Sequence, residues 1–95
     1  MKYTPRIRII SVDHALTVQA AQRLSQAMHA AHMRYPVREV FCHLEAGRCG
    51  LKVGSIGIEL DGNFVWAGHE LTEGLAASFC ESLQLHVDRM EKGEI

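Results

Sequence analysis

Ninety-five residues, 47% hydrophobic and 22% charged, suffice for one soluble globular core and leave no room for a second, so a single domain over residues 1–95 is expected. A formal net charge of -1, with Lys and Arg scattered singly, excludes the basic footprint that phosphate backbones require, and nucleic acid is not an expected partner. No apolar run nears the roughly 20 residues that span a bilayer, and the opening Met1, Lys2, Tyr3, Thr4, Pro5 lacks the apolar stretch of a secretory signal; a cytoplasmic chain off the membrane, its three cysteines reduced, is expected.

Arg6 to Val12 alternates and then turns continuously apolar, with Ile7 and Ile9 on one face and Ile10 on the other, which predicts a first strand covered on both sides. Asp13 is placed to cap a helix whose apolar positions Leu16, Ala20, Leu24, Ala27, Met28 and Ala31 recur at spacings of three and four. The helix must stop ahead of Pro36, since the residue before a proline is pushed out of the helical region. Val37 to Leu44 predicts a second strand, with Val40, Cys42 and Leu44 on one face and Val37 and Phe41 on the other. Strand, helix and strand in this span form a right-handed parallel crossover.

Residues 45–54 show no helical period and read as a loop, which returns the chain antiparallel to the second strand. In Ser55 to Gly68, SIGIELDGNFVWAG, Asp61-Gly62 lies between two strand-like runs and supplies the positive φ angles of a two-residue hairpin turn. A regular ladder from that turn sets Ile58 opposite Val65 and Gly57 opposite Trp66. Ile56, Ile58, Leu60 and Val65 then face the core, and Phe64 and Trp66 share the other face. The last helix opens at Thr72, with Leu71 stapled to Ala76, a stripe of Leu75, Phe79, Leu83, Val87 and Met90, flanking Ala76 and Cys80, and a stop at Lys92-Gly93. The expected fold is α/β: strand, helix, strand, loop, strand, strand, helix, with a four-stranded mixed sheet and two helices.

That order resembles the thioredoxin-like fold, and residues 55–68 resemble its segment of Thr-Pro-Ala, apolar strand, Asn-Gly or Asp-Gly turn and second apolar strand ending in Gly. Ser55, Ile56 and Gly57 stand at the Thr-Pro-Ala positions, so the family's cis-proline is replaced by Ile56, where a cis bond would cost ~3 kcal/mol. The family's Cys-x-x-Cys motif would fall at the first helix's start, where this chain has His14, Ala15, Leu16 and Thr17. The resemblance thus implies a degenerate member without dithiol exchange. A weaker similarity links Gly47 to Gly54, GRCGLKVG, to thioredoxin-like two-iron, two-sulfur ferredoxins. Those hold their cluster with four cysteines, two of them before the second strand, and this chain has none before Cys42.

Among candidate site residues, Cys42 alternates inward and reads as a small buried hydrophobe, and Cys80 belongs to the last helix's core flank. Cys49 sits in a glycine-bounded loop beside Arg48, whose charge favours a thiolate, and reads either as a reactive thiol or as an ordinary exposed one. Cys42, His43 and Cys49 supply three metal ligands at most, with His43 pointing away from Cys42, so no metal or other cofactor is expected. His14 opens the first helix at the carboxyl end of the first strand, the edge where ligands bind in such sheets. There Asp13, His14, Thr17, Cys49 and Ser55 could form one polar cluster; the plainer alternative is that Asp13 only caps and His14 only faces water. His29 and His32, three apart on a helix, could chelate a metal or simply decorate a polar surface, and His86 borders the last helix's stripe as a partly buried structural residue.

No phosphate loop, Ser-His-Asp set or paired carboxylates appear, so an enzyme is not expected, His14 and Cys49 being the sole catalytic candidates. The reading is a binding or interaction module, an adaptor or assembly factor, whose partner is a protein or a second copy, with Phe64 and Trp66 as a contact patch. The alternatives are a thiol- or metal-dependent redox or electron-transfer protein using Cys49 with Cys42 or His43, and a plain structural subunit.

Overall fold

The computed structural model describes residues 3–93, in the order β1 (Ile7–Ser11), α1 (His14–Ala30), β2 (Val37–Phe41), α2 (His43–Arg48), β3 (Ile56–Leu60), β4 (Asn63–Gly68) and α3 (Glu73–Glu91). The four strands form one mixed sheet in the order β2-β1-β3-β4. β1 runs parallel to β2 and antiparallel to β3, and β4 is antiparallel to β3. The expected α/β sheet is therefore present. It carries three helices where two were expected.

Both long helices lie on one face of the sheet. Ile7 and Ile9 of β1 and Ile56 and Ile58 of β3 meet Ala20, Leu24 and Met28 of α1 and Ala76, Cys80, Leu83 and Val87 of α3 in one core. Each fully buried Ile or Leu there contributes about 1.5–3 kcal/mol. Leu75, expected in this stripe, is half-exposed instead, because Leu71 and Ala76 fill the interior at the helix start. Asp13 caps α1 as expected, its carboxylate accepting from the Ala15 and Leu16 amides at 2.9 and 3.4 Å. Thr72 caps α3 through the Leu75 amide at 3.2 Å.

α1 ends in a turn that the sequence hides. The Met33 amide donates to the Met28 carbonyl at 2.8 Å and the His32 amide to His29 at 3.1 Å, the paired bonds of a Schellman cap, which puts His32 at φ 59°. Most helices place glycine there; here buried Met33 anchors the turn regardless.

The opposite face is covered by α2, which replaces part of the expected loop and shortens the second strand to Phe41. With six residues, one buried side chain (Ala46) and an internal Gly47, α2 offers no periodic stripe to read. Tertiary contacts hold it. Arg8 of β1 reaches Glu45 at 3.3 Å and Glu59 of β3 at 2.9 Å, and Gly50 at φ 74° closes a second Schellman cap through Leu51 to Ala46 at 2.8 Å.

The hairpin turn is as expected, with Asp61 and Gly62 at φ 53° and 86°. Its ladder is not. A bulge between Ile58 and Glu59 pairs Ile58 with Trp66 and Glu59 with Phe64, leaving Val65 as the extra, half-exposed residue. Phe64 and Trp66 therefore lie on opposite faces. Trp66 joins the helix side, while the Phe64 ring occupies the space above Gly57 that a Cβ would need. The peptide bond before Ile56 is trans.

Replacing His32 by Gly removes the strain of a side chain at φ 59°. His32→Gly is expected to stabilise the fold by about 1 kcal/mol, read as a melting temperature roughly 4–8 °C higher in thermal denaturation.

Candidate functional site

The carboxyl ends of β1 and β2, the start of α1, α2 and the entry to β3 meet along one rim of the sheet. Its centre is Ser11, a hydroxyl at the end of an apolar strand, fully buried. Ser11 Oγ donates to the Ser55 carbonyl at 2.9 Å and accepts from the Asp13 amide at 3.1 Å, while the Ser11 carbonyl accepts from the Cys42 amide at 3.2 Å. One side chain thus ties β1, α1 and β3 together, and its backbone adds the start of α2. Sequence reasoning passed over Ser11. A hydroxyl in a run predicted to be buried on both sides was the available signal, since such a group must find partners.

Of the expected cluster, Asp13 spends its carboxylate on the α1 cap, and Thr17 is buried, its hydroxyl donating to the His14 carbonyl at 2.7 Å. Thr17 is a core-facing residue of α1 and does not line the rim. His14 is exposed and lies over the ring of Phe41, with centroids 4.4 Å apart and planes at 32°. Ser55 arrives at the rim through its carbonyl.

Three large apolar side chains are exposed along the rim, beside the exposed Asp13, His14, His43 and Lys52. Phe41 is 56% exposed, Leu44 in the first turn of α2 is 82% exposed, and Val53 is 86% exposed. Leu44 was expected inside a strand. The turn into α2 after Phe41 swings it outward. Val53 occupies the tip of a turn closed by the Ser55 amide on the Lys52 carbonyl at 3.0 Å, with Gly54 at φ 83° supplying the conformation a type II turn demands. His69 steadies that turn through its Nδ1 and the Gly54 carbonyl, 3.3 Å apart.

The thiols do not converge. Cys42 caps the start of α2 and Cys49 its end, both half-buried. Seven residues of helical rise separate them by about 10 Å, beyond the roughly 7 Å between Cα atoms that a disulfide tolerates. His43 begins the same helix and is likewise a helix length from Cys49. Arg48 faces Glu45 at 3.5 Å, so its charge is already engaged within α2. Among the described residues no three His, Cys, Asp or Glu side chains come together as a metal ion would require. Cys80 is a core residue, and burial pushes its thiol up.

At the other end of β1 lies a second polar cluster, which sequence reasoning missed. Asp61 of the hairpin turn accepts from the Tyr3 hydroxyl and the Arg6 amide, the latter at 2.9 Å. His86 Nε2 of α3 lies 3.2 Å from the carboxylate and 2.9 Å from the Tyr3 hydroxyl. Burial alone would raise the Asp61 carboxyl. Bonds from Tyr3, the Arg6 amide and His86 outweigh it and hold the group below its ordinary value. Burial and the Asp61 carboxylate together push the Tyr3 phenol well up. The cluster fastens the amino-terminal segment and the hairpin to α3.

No family model matches this chain, and no curated protein or solved structure is a match for it.

Two measurements follow from these geometries. Mild oxidation of the native protein is expected to give no intramolecular Cys42–Cys49 disulfide by peptide mass mapping, while Cys80 stays unmodified by thiol reagents until the protein unfolds. A carboxyl held low in the folded state stabilises above its unfolded pKa, about 3.9 for Asp, and that contribution is lost as pH falls through the folded value. Urea unfolding at a series of pH values should show Asp61→Asn, which tolerates the same turn angles, less stable than wild type at pH 7 by about 1–3 kcal/mol, with the gap narrowing below pH about 4.

Proposed function

We propose that this chain is a thioredoxin-like binding module without a redox dithiol, an adaptor or assembly factor that holds a protein partner at the rim formed by Phe41, Leu44 and Val53. Support for the kinship comes from the sheet order β2-β1-β3-β4, with one parallel and two antiparallel pairings, and from the βαβ unit followed by a hairpin and a closing helix. His14 to Thr17 stand where such proteins carry their thiols.

One observation carries the binding reading. Three large apolar side chains, each more than half exposed, project from the same end of the sheet, one of them stacked by His14. Exposed apolar surface of this kind marks an interaction site. Ser11, Thr17 and one carboxylate oxygen of Asp13 are meanwhile engaged in capping and cross-strand bonds, while the imidazole of His14 stays exposed on the Phe41 ring. No helix of the described residues is long and apolar enough to cross a membrane. Three unpaired thiols suit the reducing cytoplasm, where we put this module.

The test is affinity capture from native lysate, comparing wild type with a Leu44→Ser, Val53→Ser variant. Both positions are too exposed to disturb folding. A partner held at the rim is expected to be retained at least about tenfold less by the variant. A Glu39→Lys control on β2 should retain it fully. Equal capture of every partner by both proteins overturns the rim as the binding surface.

A further inference from the structure

The sheet has two edges, and they are built differently. β2 is guarded: Pro36 precedes it, and Arg38 and Glu39 stand within its five residues. Charges and prolines of this kind, like bulges, keep a strand edge from pairing with another chain, and β4 has only the bulge at Val65. β4, Asn63-Phe64-Val65-Trp66-Ala67-Gly68, carries neither a charge nor a proline, and among the described residues no strand pairs with its outer side.

Apolar side chains flank that edge on both faces. On one face Phe64 is half-exposed above Gly57. On the other a groove of about 340 Å³ runs between the hairpin and α3, lined by Leu60, Val65, Trp66, Leu75 and Phe79 with Ser78 and Ser82 at its side, and free of charged residues. The bulge delivers Val65 to the mouth of this groove, facing half-exposed Leu75 across it. A free strand edge beside a groove walled by a helix is the arrangement that accepts an added strand, whose backbone pairs with the edge while a side chain enters the groove.

We propose that the added strand is β4 of a second copy, paired antiparallel about a two-fold axis so that two four-stranded sheets become one of eight. The occupant must be extended, uncharged and apolar on both faces, and β4 itself answers that description. Two-fold pairing sets residue i against j and j against i, so only a residue at the axis meets its own copy, and β4 brings no charge to any of these pairs. A formal net charge of -1 leaves little long-range repulsion between copies. Residue 65 lies near the middle of the strand, so the pairing brings Val65 beside its counterpart and sets the two grooves side by side. This interface is centred on Val65 in β4 and shares no residue with Phe41, Leu44 and Val53 of the rim, so each can fail alone.

Sedimentation equilibrium over a wide concentration range tests it. The wild-type chain is expected to sediment at twice its 10.6 kDa, and Val65→Lys to weaken the association by at least about a hundredfold while keeping its circular dichroism spectrum and a cooperative melting transition. Mixing Val65→Lys with Val65→Glu should restore a dimer, because the two-fold puts opposite charges together. Glu39→Lys on β2 should leave the mass unchanged. A wild-type monomer at every concentration overturns the proposal, as does a dimer that survives Val65→Lys or is lost with Glu39→Lys. If the wild type stays monomeric but takes up a synthetic peptide of residues 62–69, the edge serves a foreign strand and the self-pairing is likewise overturned.

Discussion

β1 is hydrogen-bonded along both edges, parallel to β2 and antiparallel to β3, and is covered on both faces. Ile7 and Ile9 sink into the core beneath α1 and α3, and Ile10 is fully buried on the side where Ala46 of α2 is buried too. A strand so enclosed has one register available, since a slip of one residue would drive Arg8 into the helix core. Arg8 helps to hold α2: its guanidinium bridges Glu59 of β3 and Glu45 of α2, and with buried Ala46 and the Leu51 cap it supports a six-residue helix that has few internal bonds of its own.

The two ends of β1 inherit different tasks from this constraint. At its start, the chain before Ile7 is fastened by Tyr3 and Arg6 to Asp61, and Asp61 to His86 of α3, so the hairpin turn and the closing helix are locked to the sheet. At its end, Ser11 locks the entries to α1 and β3. The lock at the start uses ionisable groups and weakens in acid. The lock at the end uses a neutral hydroxyl and backbone atoms.

What the sequence made legible were the features encoded by nearest neighbours. Asp13 and Thr72 announce helix starts, Asp61-Gly62 announces its turn, and Leu24, Leu83 and Val87 recur at helical spacing, so each could be read without knowing the rest of the fold. Features set by distant contacts were not legible. α2 depends on Arg8, more than thirty residues upstream, and the bulge at Val65 depends on how Phe64 and Trp66 pack over glycines. Both errors share a cause: alternation was carried through a point where the chain changes direction, at Phe41 into α2 and at Val65 in β4. A single bulge reverses every side chain beyond it, which is why Trp66 was assigned to the wrong face. The Tyr3, Asp61 and His86 cluster joins three elements far apart in sequence, and no local pattern marks it.

The candidate site shows why residue types alone overstated its chemistry. Asp13, His14, Thr17, Cys49 and Ser55, read as a set, suggest weak acid-base or ligand-binding work, yet an acid or base must keep a free lone pair or proton where a substrate can reach it. Asp13 gives its carboxylate oxygen to two amides, Thr17 gives its proton to a carbonyl inside the core, and Ser55 contributes a carbonyl already bonded by Ser11. What the fold leaves for a visitor is the imidazole of His14 on the ring of Phe41, with Leu44 and Val53 at the same end. A partner on such a surface would be held by area excluded from water and by ring stacking, forces that discriminate shape and demand no particular reacting group. The same logic reaches the far edge of the sheet, where β4 offers backbone groups and apolar walls and nothing that reacts.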